Sequence, residues 1–250
     1  MRDFDESTLW RISEFERVRA RTGESGFTPL QGATVLPETL LGELQHLEQV
    51  GQGKDVLEVV TACLRHREAA LLCLQYEGLV WPLTLFPAQM LYHSPRDFAH
   101  TTPTGLAHAS LISIEPPGVR PPGHSAYERV AATEHYRPLL PLLWLVALEG
   151  PSAELLNEIS GTAAYRAIKN PADDGLSMSG ALGSAAERLR RETVPLRTIA
   201  QWPGMNTERA CRLLNALYLA SALLATRAHP AARPAPGAVR GLRDFFKSLR

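Results

Sequence analysis

Three short segments of this 250-residue chain carry residue types at spacings that chemistry uses. Gly51-Gln52-Gly53-Lys54-Asp55 is glycine-rich and stands before an apolar run. A phosphate-binding turn needs GxxxxGK followed by Ser or Thr, so that backbone N–H groups and a hydroxyl face the anion. Here Asp55 follows the lysine, and an acid there repels phosphate. The segment reads as the end of one helix and the cap of the next. Gly175-Leu176-Ser177-Met178-Ser179-Gly180 misses GxSxG by one position. A nucleophile elbow also requires a strand leading into the serine. None is expected there, and 170–180 reads as a polar loop. His93, His100 and His108 lie within sixteen residues, with Asp97 among them. That spacing fits neither a helical i, i+4 pair nor closely spaced zinc ligands. His124 and His135 add nothing regular, and Asp173-Asp174 stands alone. No catalytic residue, metal or cofactor is expected.

The elements around these segments divide the chain. Residues 1–26 form a polar arm, in which Glu6–Ala20 could make a short amphipathic helix. Leu40, Leu41, Leu44, Leu47 and Val50 recur at helical spacing after Pro37, and Val56, Val59, Val60, Cys63 and Leu64 do so after Asp55. Leu71–Gln75 and Leu79–Phe86, around Tyr76-Glu77-Gly78, predict a β-hairpin. Pro82 and Pro87 cannot donate to a ladder, so the second strand is expected at an edge. Trp81, Phe86, Tyr92 and Phe98 gather around it, as core or as an edge platform for a partner sheet. Gln89–His93 and Leu106–Ile114 are further strand candidates. Region 27–118 is thus a helix-plus-antiparallel-sheet module, and the fold class is α+β. Glu115–Gly123 (EPPGVRPPG) reads as a stiff, extended Pro/Gly spacer, and the linker at 119–125 is the expected domain boundary. From Ala126 the chain reads as mainly helical through 227: Leu139–Leu148, Ala153–Ile159 behind Ser152, Gly161–Ile168, and Ala181–Arg191. Residues 228–250 are a Pro/Ala linker and a basic tail.

Formal charge is zero, with 26 basic and 26 acidic side chains, but it is unevenly spread. Residues 188–250 hold twelve basic and three acidic groups, and residues 1–187 hold the remaining 14 and 23. The C-terminal quarter should attract polyanions or an acidic protein face, its own chain included. No secretory leader is visible, no apolar run reaches the ~20 residues of a membrane span, and three cysteines show no CxxC pairing. Arg outnumbers Lys 23 to 3. A bacterial cytoplasmic protein is expected.

Val194–Arg227 holds the one recognisable shape. Pro195 can open a short helix, Trp202-Pro203-Gly204-Met205 turns the chain, and Asn206 caps a second helix with Glu208 in its first turn. Ala210, Leu213, Leu214 and Leu217 form its apolar stripe, and Leu223-Leu224 is strand-like. This order resembles the winged helix-turn-helix family over about 181–230. The resemblance implies that the second helix binds DNA or a partner protein, with the wing at Ala228–Arg233. The solvent-facing residues of that helix are then Thr207, Glu208, Cys211, Arg212 and Asn215, with Arg209 beside them. Arg suits guanine edges and Asn suits adenine. In the alternative, Glu208 and Arg212 simply pair at i, i+4.

The tail places Leu242, Phe245, Phe246 and Leu249 at i, i+3, i+4 and i+7, with Arg243 and Lys247 on the flanks. A short amphipathic helix on a tether is the form of a docking peptide. The reading is a non-enzymatic regulatory or adaptor protein with a protein partner, itself included. A DNA-binding transcriptional regulator is the alternative, with nucleic acid as partner.

Overall fold

The computed structural model describes residues 9–23, 26–28, 30, 35–97, 106–126 and 128–232. The fold is α+β, in two compact units, Met1–Ser152 and Ala153–Arg250. The boundary therefore falls some thirty residues after the Pro/Gly stretch.

The first unit is a six-stranded antiparallel sheet with helices. Its strands are β1 (Trp10–Arg11), β2 (Ala70–Tyr76), β3 (Leu79–Phe86), β4 (Leu91–His93), β5 (Ser110–Glu115) and β6 (Tyr136–Pro138). The order is β5-β2-β3-β4-β6, with β1 also on β3. Helices α1 (Ile12–Thr22), α2 (Glu38–Gln49), α3 (Val56–His66) and α4 (Leu139–Glu149) accompany it. The expected hairpin is present, and its two turn residues both take positive φ, Glu77 at 49° and Gly78 at 74°. These angles match a type I′ turn, whose twist suits paired strands. Asp55 caps α3, its Oδ1 accepting from the N–H of Leu57 at 2.8 Å and of Glu58 at 3.4 Å. The glycine-rich segment is thus spent on helix ends. Pro141 stands in the first turn of α4, where its missing donor has no helical partner to lose.

Several expectations change. The strand holding Pro82 is interior, not an edge, because β2 lies on one side and β1 and β4 on the other. Pro82 is tolerated because β1 reaches only Leu79 and Val80 while β4 begins opposite Thr84. The proline sits in the gap between them, so β3 is no platform for an outside sheet. The N-terminal segment is no free arm: β1 pairs with β3, and Trp10 and Phe15 enter a core with Phe27, Leu71, Cys73 and Phe86. The Pro/Gly stretch links no domains. Val119 is buried, Arg120 donates its N–H to the Arg129 carbonyl at 2.9 Å, and the chain returns as β6 to pair with β4. Stiff composition specifies an extended path, not its destination. The other two strand candidates are shorter than expected, at Leu91–His93 and Ser110–Glu115.

In register, Glu115, Leu71, Thr84, His93 and Tyr136 form one row across five strands of this sheet. Directly paired residues share a face. The row runs along the face that α1 covers.

The second unit is not mainly helical in its first third. Residues 153–159 turn without forming a helix, and the expected helix over 161–168 is instead strand β7 (Ala164–Ala167). Then come α5 (Gly180–Arg191), β8 (Val194–Pro195), α6 (Leu196–Ile199), α7 (Thr207–Leu219) and β9 (Leu223–Thr226). The sheet order is β8-β7-β9. Arg188 lies over the Trp202 ring at 4.6 Å, tying α5 to the turn before α7. Gly204 takes φ 74° in that turn, where a Cβ would come within 2.7 Å of the Ala181 methyl.

Candidate interaction site

Helix α7 was expected to present a reading face, so each of its residues has a definite test. Asn206 caps it, its Oδ1 accepting from the Arg209 N–H at 2.8 Å. Thr207, Glu208 and Arg209 are exposed in the first turn. The Arg209 guanidinium donates to the Gly204 carbonyl at 2.6 Å. Arg212 Nε donates to Glu208 Oε1 at 3.1 Å, the i, i+4 pair of the alternative reading.

Two of the expected solvent-facing residues are buried. Cys211 is 5% exposed, and burial together with Glu154 pushes its thiol up. Asn215 is fully buried. Its Oδ1 accepts from the Leu156 N–H at 3.0 Å, and its Nδ2 donates to the Glu154 carbonyl at 2.7 Å. Nearby, the Tyr165 hydroxyl donates to the Ile159 carbonyl at 2.6 Å. Burial, then Cys211, pushes that phenol up to about 12. The 154–159 segment thus sends main-chain groups to side chains of α7 and β7, which is why it needs no helix of its own.

The strand after α7 also departs from the expected wing. β9 leads into a single 3-10 turn at Pro230–Ala232, and among the described residues no strand returns from it. The central place in the sheet, between β8 and β9, belongs to β7, which precedes α5 in the chain. Of the wing segment Ala228–Arg233, only 228–232 are described. No family model, curated protein or solved structure matches this chain.

Leu242, Arg243, Phe245, Phe246, Lys247 and Leu249, the expected docking tail, lie outside the described residues. So do Phe98 and His100.

The remaining segments do not converge on chemistry. Gly175 takes φ 74° where it closes a 3-10 turn at Pro171–Asp174, and 176–179 lead into α5 as a loop. His108 is exposed, whereas His93 is fully buried in β4, its ring 5.9 Å from His135 and 5.2 Å from Tyr136. Asp97 pairs with Arg137 Nε at 3.2 Å. Among the described residues no group of three or more His, Cys, Asp or Glu could hold a metal ion. Nor is any helix there long and apolar enough to cross a membrane. Sequence reasoning missed the apolar outer face of the small sheet, where Ile168 and Leu224 are exposed. Reading 161–168 as a helix hid the alternation that puts these two side chains on one face.

Proposed function

We propose that this chain is a non-enzymatic regulatory or adaptor protein of the bacterial cytoplasm that acts by binding another protein. One observation carries the reading: Asn215, the amide suited to an adenine edge, is buried against the backbone of 154–156. Without it, α7 offers an outside partner Thr207, Glu208, Arg209 and Arg212. The two arginines already bind Gly204 and Glu208. A groove-reading helix presents several base-directed side chains. This one is organised toward its own unit.

The test is binding of the purified full chain to mixed DNA fragments at about 50 and 200 mM salt, the range over which phosphate contacts lose most affinity. No retained fragment at either salt is the expected result. A selected subset that persists at the higher salt, and whose sequence choice Arg212→Ala relaxes, would make the chain a DNA-binding regulator and overturn the proposal.

A further inference from the structure

The small sheet of the second unit ends in an open edge. β9 pairs with β7 on one side, and among the described residues no strand pairs with its other side. The register identifies the groups that face outward. Ile168 N–H donates to the Ala222 carbonyl at 2.8 Å, and Leu224 and Thr226 stand opposite Arg166 and Ala164. In an antiparallel ladder the bonded pairs alternate. Leu224 and Thr226 therefore direct their main-chain groups toward β7. Leu223 and Ala225 turn their N–H and C=O toward the open side.

The side chains beside that edge share a chemistry. Leu224 is 49% exposed and Ile168 57% exposed, and the register puts both on one face as diagonal neighbours. Arg166 stands opposite Leu224 on the same face and is the one charged residue in the three strands. Lys169 stands exposed just beyond the end of β7, whereas Arg227, one residue beyond β9, alternates to the opposite face, where its guanidinium donates to the Glu158 carbonyl at 3.4 Å. The described residues of this unit, 153–232, carry nine basic and seven acidic groups, a net of +2. A second copy of this edge would bring like charges together. An acidic strand would neutralise them.

We propose that the open edge of β9 takes up an extended acidic peptide segment of another protein as a further strand, seating apolar side chains on Leu224 and Ile168 and carboxylates against Arg166 and Lys169. Main-chain bonds to Leu223 and Ala225 would supply affinity, and the apolar and cationic contacts would supply selectivity. This inference rests on the protein-binding reading above.

The test uses the full chain and a labelled peptide, acetyl-Glu-Glu-Val-Thr-Val-Glu-Glu-amide, with its lysine counterpart as control. The acidic peptide should bind at least about tenfold more tightly than the lysine one, and more weakly as salt rises. Ala225→Pro deletes an outward donor and leaves the bonds to β7 in place, so it should fold and lose the peptide. Two forms of the peptide, N-methylated at alternate residues, make the same test without altering the protein: one should bind and the other should not. Equal binding of both N-methylated forms, equal binding of acidic and basic peptides, or no binding at all would overturn the proposal. A dimer that Ala225→Pro returns to a monomer would assign the edge to a second copy and overturn it too. Failure here with no DNA retained would remove only this surface. Retained DNA would remove the protein-binding reading itself.

Discussion

Asn215 Nδ2 donates to the main-chain carbonyl of Glu154 at 2.7 Å, across sixty-one residues of sequence. With its Oδ1 on the Leu156 N–H, one buried amide holds an irregular segment against a helix. Asn215→Ala leaves the buried Leu156 N–H unpaired, at about 1–3 kcal/mol, and removes a part-buried bond to the Glu154 carbonyl, at about 1 kcal/mol. The variant should lose about 2–4 kcal/mol, seen as a lower urea midpoint at unchanged slope. A loss below about 0.5 kcal/mol would mean that water replaces both bonds.

The same residue shows where the sequence was legible. The apolar stripe of α7, its cap at Asn206 and the Asp55 cap are local patterns, and each is found in place. Glu208, Arg212 and Asn215 also share a stripe at i, i+4 and i+7. Helical periodicity cannot say that 154–156 covers its C-terminal end. β6 and β7 were missed for a related reason. They have three and four residues, too few for a period, and each is stabilised by a partner far along the chain: β6 by Leu91–His93, β7 by Leu223–Thr226. The domain boundary followed from that miss, since β6 carries the chain beyond the Pro/Gly stretch back into the first sheet. Among the candidate site residues, exposure of the first turn of α7 was readable, and the burial of Cys211 and Asn215 was not.

Glycine substitutions should separate local strain from propensity. Gly78 takes φ 74° in the β2–β3 turn, a conformation that puts a Cβ against the following carbonyl. Gly78→Ala should cost about 1–2 kcal/mol although nothing lies within 4 Å of the added methyl. Gly42 lies within α2 with equally open surroundings and no positive φ. Gly42→Ala should stabilise by about 0.5–1 kcal/mol, because alanine loses less backbone freedom on entering a helix. Thermal melts of the pair should shift in opposite directions.

Acid should weaken the first unit through His93. Burial, then His135 and Arg137, hold its pKa down to about 3 from the ordinary 6.5. Between those values the unfolded chain binds a proton that the folded chain refuses. The stability His93 confers is complete above about pH 6.5 and declines toward pH 3, by about 1.4 kcal/mol per pH unit. From pH 7 to pH 5 this one residue should remove about 2 kcal/mol. His93→Leu abolishes the titration but leaves Thr84 beside an apolar side chain, so its stability at pH 7 is not the informative quantity. The slope is. Urea midpoints of both proteins are followed from pH 7 to pH 5, and the wild-type midpoint should fall more steeply than that of His93→Leu if His93 carries the effect. Parallel lines would place the acid sensitivity elsewhere.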